Sequence, residues 1–332
     1  MRAAPPSCSA IMGRMRDWFG AIEAAAERIR PHVRETPVDP SAELSRLGGA
    51  DVFLKMENLQ VTGSFKLRGA MNRLGLLSPE ERRRGIVAAS SGNHGMAVSW
   101  GMQALGGQAT IFVPENASPV KLQAMRDHGA EVRARGTDSG LSELEARRFA
   151  EEQGLTYISP YNDPEVVAGQ GTVGLEIGRQ VDAPEAIFVA LGGGGLISGI
   201  GLAFEGLGRK VELVACSPQN SAVMHHSLAA GRILEMESLP TLSDGTAGGV
   251  EPGAITFDLC RRLVTHSVLV SEDEIRSAMR LVMERHHTLI EGAAAVAVAG
   301  YLKEKQRFRG RRVVIVLCGA NISLARLREA IA

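Results

Sequence analysis

The chain is short of most features that would commit it to a polyanion or a membrane. Lysine plus arginine equals aspartate plus glutamate at 37 each, so its 332 residues carry no formal net charge. Without a basic excess there is no long-range pull toward nucleic acid or an anionic bilayer. The basic clusters, RRR at 82–84 and RFRGRR at 307–312, are short and read as solvated edges. No apolar run reaches the roughly 20 residues of a membrane span. The opening MRAAPPSCSAIMGRM is basic but lacks a sustained apolar stretch, so it reads as a frayed extension before a helix near Asp17 and not as an export signal. Four cysteines, Cys8, Cys216, Cys260 and Cys318, lie far apart. That spacing excludes a paired metal-ligand motif and a dense disulfide framework, and it fits a reducing, cytoplasmic setting. Lysine is scarce as well, at six against 31 arginines, so a lysine inside an apolar run raises a chemical question. Lys66, in VTGSFKLRGA at 61–70, is such a lysine.

With 45% hydrophobic residues over this length, the chain can bury a large core and divide into two domains. Phe19, Ile22, Ala26 and Ile29 recur at helical spacing ahead of Pro31, and Ser41 is placed to cap a short helix. VFLKMENL at 52–59 starts as a strand and leads into a helix over SFKLRGAMNRLGLL, after which Pro79 to Arg84 reads as a connection. From there strand, loop and helix alternate: IVAAS (86–90), ATIFVP (109–114), AEVRARG (130–136) and TYISP (156–160) are the strands of one block. IFVAL (187–191), VELVACSP (211–218), SVLVS (267–271) and VVIVL (313–317) are the strands of a second. Such alternation implies α/β architecture, with mostly parallel sheets whose short apolar strands are covered on both faces. The division expected is residues 1–80 and 161–332 as a large cofactor-binding domain, and 81–160 as a small domain. Sites belong at the carboxyl ends of strands, in the cleft between the two.

Two loops at strand ends carry chemistry. Gly192, Gly193, Gly194 and Gly195 follow IFVAL and precede a helical run, so backbone N–H groups can converge on an anion at a helix start. No GK[ST] follows them, and no acidic residue ends a neighbouring strand about twenty places on, so neither nucleotide fingerprint fits. A bare glycine turn is the plainer alternative. SSGNHG at 90–95 gathers hydroxyls, an amide, an imidazole and flexible backbone, which suits a carboxylate or a self-satisfied capping segment. His94 has no ligand partner near it in sequence and is not read as binding metal. A lysine against an apolar wall loses hydration, and its pKa falls toward neutrality, which makes an imine-forming nucleophile. Lys66 could equally be a surface lysine at a helix start. A phosphate cup, a carboxylate loop and one such amine together ask for a phosphorylated aldehyde cofactor and an amino-acid substrate, and pyridoxal 5'-phosphate meets that description.

TGSFKLRGA, SSGNHG, GGGGL and CGAN, in this order, resemble the serine/threonine dehydratase and serine racemase family of fold-type II pyridoxal-phosphate enzymes, from about residue 17 to about residue 325. The resemblance implies a tryptophan-synthase-beta-like pair of open α/β domains with the cofactor between them. It implies that Lys66 holds the cofactor, Phe65 packs on the ring, and Asn93 bonds the ring hydroxyl. Gly192 to Gly195 with Leu196 would grip the phosphate, and Cys318 would face the ring nitrogen. Glu291, in LIEGAAAVAVAG, would sit beside the ring or be capped structurally. Ser90, Ser91, Gly92, Asn93 and His94 would embrace the substrate carboxylate, with Asp244 nearby. Lys66 and Ser91 would be the catalytic pair. The implied activity is loss of water and ammonia from a β-hydroxy amino acid. An amino-acid racemase using Ser91 on the opposite face and a β-replacement synthase are the same-fold alternatives. A cofactor-free binding protein is the alternative from another class.

The resemblance also has departures. Many relatives carry a divalent cation site after the strand matching VELVAC, but Cys216 and Ala222 stand where carboxylates are expected, so the Mg²⁺ or Ca²⁺ site is expected to be missing or much altered, with a monovalent ion held by carbonyls as the alternative. SDGTAGGVEPGAITF at 243–257 carries extra glycines and Glu251, and it resembles dehydratase-like proteins of ectoine and hydroxyectoine utilisation. That would imply a hydroxylated, diamine-derived substrate. A hydroxyaspartate dehydratase would need an arginine near the cleft, and the sequence places none. The chain ends soon after CGAN, so no isoleucine-regulated C-terminal domain is expected. A homodimer is what the resemblance implies for assembly.

Overall fold

The structure, a computed structural model, describes residues 16–331, so the extension expected before Asp17, with Cys8, lies outside the described residues. Asp17 caps α1 (Trp18–Ile29) by accepting from the Gly20 N–H. β1 (Val38–Pro40) follows, then α2 (Ala42–Gly48), with the Ser41 hydroxyl accepting from Leu44 N–H at its start, and β2 (Asp51–Lys55). α3 (Lys66–Gly75) begins at the lysine itself. The stretch read as a connection is a helix, α4 (Pro79–Arg84). Ser78 and Glu81 close a capping box there, and Pro79 presets the first turn.

The next block is β3 (Ile86–Ala89), α5 (Asn93–Ala104), β4 (Ala109–Val113), α6 (Pro119–Asp127), β5 (Glu131–Ala134), α7 (Ser139–Gln153) and β6 (Thr156–Tyr157). Its strands form a parallel sheet in the order β5-β4-β3-β6. Then come α8 (Pro164–Gln180), β7 (Ala186–Ala190), α9 (Gly195–Gly206), β8 (Glu212–Pro218), α10 (Val223–Ala230), α11 (Ile255–Leu263), β9 (His266–Val270), α12 (Glu272–His286), α13 (Gly292–Glu304), β10 (Arg312–Val316) and α14 (Leu324–Ile331). The second sheet runs β1-β2-β10-β7-β8-β9, parallel except for β1 against β2. The two open, mostly parallel α/β sheets are the architecture expected. Among the described residues no helix is long and apolar enough to cross a membrane.

Each sheet has its own core, but α3 serves both lobes. Leu67, Ala70, Met71 and Leu74 of α3 pack with Ile86, Ala88 and Ile111 of the smaller sheet. Its opposite side meets α8, a helix the sequence reading passed over. Thirteen of the 17 residues of α8 are buried. Glycines let these helices touch backbone to backbone: a Cβ on Gly169 would lie 2.6 Å from the Arg68 carbonyl oxygen, and one on Gly199 in α9 would lie 2.5 Å from the Gly171 nitrogen. Beneath α3, the fully buried Arg68 guanidinium forks onto Glu57 (Nε and Nη2, both 2.8 Å) and Glu176 (Nη1 2.6 Å, Nη2 2.8 Å), and Lys55 closes the network on Glu176. Two cations against two carboxylates leave this interior neutral. That balance is what makes such burial tolerable.

Candidate active site

Lys66 owes its position to a short crossing of two segments. Ser64 and Gly319 form an isolated antiparallel bridge, Phe65 N–H donates to the Cys318 carbonyl (3.1 Å), and Ala320 N–H donates to the Gly63 carbonyl (2.9 Å). TGSFK and CGAN, far apart in sequence, are thus sewn together. Gly63 has φ +72° and any Cβ on it would lie 2.8 Å from Asn321 Oδ1, so only glycine fits the crossing. The Lys66 side chain is half-buried, with protein on one side and a cavity on the other. Its ammonium donates to the Pro160 carbonyl (2.8 Å) and sits 5.3 Å from the centre of the Phe65 ring. Desolvation lowers its pKa to about 8, against the opposing pull of Cys318 and Glu291.

The residue after Pro160 connects Lys66 to the glycine turn. The Tyr161 ring lies so close over Gly193 that a Cβ there would fall 2.4 Å from it, and a Cβ on Gly195 would lie 3.2 Å from the Tyr161 Cβ. Gly194 has φ +85° at the cap of α9, and the first intrahelical bond runs from Ser198 N–H to the Gly194 carbonyl (3.0 Å). The N–H groups of 195–197 are therefore free of helical partners and available to an anion. Gly192 backs onto Thr246, and Gly193 faces the cavity. The Leu196 side chain is buried in the core, so that residue can offer an anion only its N–H.

Ser90, Ser91, Gly92, Asn93 and His94 line the same cavity, which measures about 450 Å³. The Gly92 N–H donates to the Ser90 hydroxyl (3.1 Å), and the loop runs directly into α5. The His94 side chain is committed away from the cavity. Its ring is buried, and Nε2 donates to the Ile158 carbonyl at 2.9 Å. Burial, then Lys66, lowers its pKa to about 3, so the imidazole stays neutral. What His94 can give a carboxylate is backbone N–H, not a charged ring.

Glu291 also faces the cavity. Its Oε1 accepts from Asn93 Nδ2 (2.8 Å) and its Oε2 from Asn321 N–H (3.1 Å). Burial raises its pKa to about 7, and the Asn93 bond opposes that rise. Cys318 is buried behind the cavity wall, and burial followed by Glu291 holds its thiol well above the ordinary range, so it is a neutral SH. Asp244 lies at the mouth, 3.9 Å from Lys121 Nζ and 3.5 Å from Arg326 Nη2. Arg326 is the cleft arginine the sequence could not place. Tyr161, Lys121, Asn321 and Arg326 were all missed. Asn321 stood inside the quoted CGAN, whereas nothing local marks Arg326 in the terminal helix.

The match to known families agrees with this geometry. A family model described as pyridoxal-phosphate dependent enzyme covers residues 29–319. The chain belongs to the pyridoxal-phosphate dependent enzymes. Within them it is 41% identical over 303 residues to an L-threonine ammonia-lyase from Thermotoga maritima, covering 91% of this chain and 75% of that one. The processed form of threonine deaminase isoform 2 from Solanum lycopersicum superposes with TM-score 0.90 at 32% identity, covering 96% of this chain and 94% of that one. Serine racemase from Dictyostelium discoideum superposes with TM-score 0.85 at 35% identity, covering 92% and 99%.

The residues present fit pyridoxal phosphate. An amine with a pKa of about 8 can condense with an aldehyde near neutral pH. Glycine N–H groups at a helix start suit a phosphate. Were the ring nitrogen to meet Cys318, it would find a neutral thiol there and no carboxylate. Among the described residues no group of three or more His, Cys, Asp or Glu could hold a metal ion. Cys216 packs in the core, where a Cβ on Gly300 would lie 2.4 Å from its sulfur.

Proposed function

We propose that this chain is a pyridoxal-phosphate-dependent dehydratase/ammonia-lyase that converts a β-hydroxy amino acid of the serine/threonine kind to a keto acid and ammonia. The observation that carries the reading is one cavity onto which both the low-pKa Lys66 amine and the glycine turn open, joined through Pro160 and Tyr161. The names of the relatives, an ammonia-lyase and a threonine deaminase, support it.

Pyridoxal phosphate, when bound, supplies an aldehyde for the substrate amine and a ring that takes up the electron pair freed at Cα. Lys66 would tether it, and the Lys66 amine would accept the α-proton. Gly192 to Gly195 and the N–H of Leu196 hold the phosphate. Asn93 directs an N–H at the ring oxygen, Phe65 supports the lysine, and Glu291 holds the Asn93 amide. Ser90, Ser91, the Gly92 backbone and the N–H groups of Asn93 and His94 would orient the carboxylate, with the Gly92 N–H holding the Ser90 hydroxyl in place, which turns the Cα–H bond toward Lys66. Asp244 lies near the substrate side chain. In this reading residues 81–160 form the domain carrying the carboxylate loop, and 1–80 with 161–332 form the cofactor domain.

Ser91 lines the same cavity as Lys66, and racemisation as a second activity requires its hydroxyl to reach the substrate from the face opposite the amine. A homodimer in a reducing cytoplasm completes the reading. The described cysteines are all free and buried, which supports the compartment. The test is to reconstitute the chain with pyridoxal phosphate, reduce with borohydride and map the modified peptide. The label belongs on Lys66, and a label elsewhere overturns the mechanism. Keto-acid release from L-threonine, L-serine, threo-hydroxyaspartate and hydroxylated ectoine derivatives then ranks substrates. Inversion of D- and L-serine separates lyase from racemase, and light scattering reads the assembly.

A further inference from the structure

The orientation of the Asn93 side-chain amide can be traced back to a backbone carbonyl. The Thr62 carbonyl can only accept a hydrogen bond, and Asn321 Nδ2 lies 2.8 Å from it, so the amide nitrogen of Asn321 must face Thr62. The same Nδ2 lies 2.6 Å from Asn93 Oδ1, and its second hydrogen goes there. That bond fixes the Asn93 oxygen toward Asn321. The Asn93 nitrogen is thereby turned to Glu291 Oε1 at 2.8 Å, with one N–H left over. The Asn321 backbone N–H meanwhile holds Glu291 Oε2 at 3.1 Å. One residue thus sets both the side-chain amide and the carboxyl group that flank the cavity beside Lys66.

We propose that Asn321 is a positioning residue that locks the Asn93 amide so that it presents a donor, not an acceptor, to the cofactor ring oxygen. The proposal rests on the reading of the site as a pyridoxal-phosphate pocket. The ring oxygen ortho to the cofactor aldehyde is an acceptor when ionised, so it gains from an N–H and is repelled by a C=O. With Asn93 flipped, its oxygen would face both the ring oxygen and the Glu291 carboxyl. Asn321 is the group that makes the flip costly, because its own orientation is pinned by main chain that cannot reverse its polarity. The crossing of TGSFK and CGAN that positions Lys66 also carries Thr62 and Asn321, so the amine and the amide share one support.

Asn321→Asp is the sharpest test. It keeps the shape but sets a carboxylate oxygen against the Thr62 carbonyl and Asn93 Oδ1, which removes the lock. The variant is expected to bind pyridoxal phosphate at least about tenfold more weakly, with a shifted visible absorption band of the bound cofactor. A tenfold change corresponds to about 1.4 kcal/mol. Asn321→Ala gives the same two readouts, and it serves if the aspartate variant does not fold. The decisive arm repeats the Asn321 substitution in an Asn93→Ala background, where no amide remains to orient. The loss of affinity and the band shift must then largely disappear. A merely structural role would leave the effect undiminished in that background. An undiminished effect, or unchanged affinity and spectrum in both single variants, overturns the proposal. Failure of the underlying reading looks different, because the unsubstituted chain would then take up no cofactor at all.

Discussion

Desolvation sets the pH at which Lys66 can work. With its pKa near 8, a useful fraction of the amine is neutral at physiological pH, whereas an ordinary lysine at 10.5 has almost none. The rate at which cofactor-free protein takes up pyridoxal phosphate should therefore rise with pH through about 8 and level off above it, read from the growth of the visible band. A rate still rising steeply toward pH 10 would show that the amine is solvated. Glu291 titrates in the opposite sense. Its pKa is raised from 4.5 to about 7, so over that window the folded chain keeps a proton that the unfolded chain has lost. Stability from this group is thus lost as pH rises through the window, by about 3 kcal/mol in all. Melting of the cofactor-free protein at about pH 5 and about pH 7.5 should show that fall, and Glu291→Gln should remove most of it. An equal fall in the variant would assign the slope to other groups. Lys66 was legible in the sequence because lysine is rare here and this one sits in an apolar run. The commitment of His94 to the Ile158 carbonyl was not legible, since it depends on a strand end 64 residues away.

At the scale of elements, α3 must be held rigidly because its first residue is the reactive one. The helix over SFKLRGAMNRLGLL was legible, but α8 was not, because its PEVVAGQGTVGLEIGRQ carries four glycines that lower helix propensity. Those glycines are there for contact. Gly199→Ala would thrust a Cβ to 2.5 Å from the Gly171 nitrogen, and should cost about 1–3 kcal/mol in a denaturant titration. Gly249→Ala has nothing within 4 Å and should change stability by less than about 0.5 kcal/mol. Similar losses at both positions would mean that the helices can slide apart to make room. The buried Arg68 fork is the other support of α3. Arg68→Met strands Glu57 and Glu176 away from water and should cost about 3–5 kcal/mol, well beyond the loss of packing alone. A cost below about 1 kcal/mol would mean that water or Lys55 takes over the neutralisation.

The whole molecule is two sheets joined around a cavity, and the alternation of strands and helices made the sheets legible. How the lobes hold together was not, because it depends on charges with no local signature. Glu251, from the segment 243–257, reaches across to α7. Its Oε2 lies 2.8 Å from Arg147 Nη2 and 2.9 Å from Asn162 Nδ2, and its N–H donates to the Tyr161 hydroxyl at 2.9 Å. The same guanidinium holds Glu143 at 2.7 Å, so Arg147 stands between two carboxyl groups, one from each lobe. Burial, and beyond it the Glu143 charge, raises the Glu251 pKa. Without Arg147 the two carboxylates would repel, and the glycine-rich segment over the cavity would spend less time against α7. The apparent affinity for substrate falls in proportion to the closed fraction. Arg147→Leu should therefore raise KM several-fold to about tenfold with a smaller change in kcat. That penalty should shrink as pH falls and Glu251 takes up its proton, since the repulsion then disappears. Steady-state kinetics of the reconstituted enzyme across the pH range would read both effects. A KM unchanged by the substitution, or a penalty that grows toward acid pH, would show that the lobes are held by something other than this ion triad.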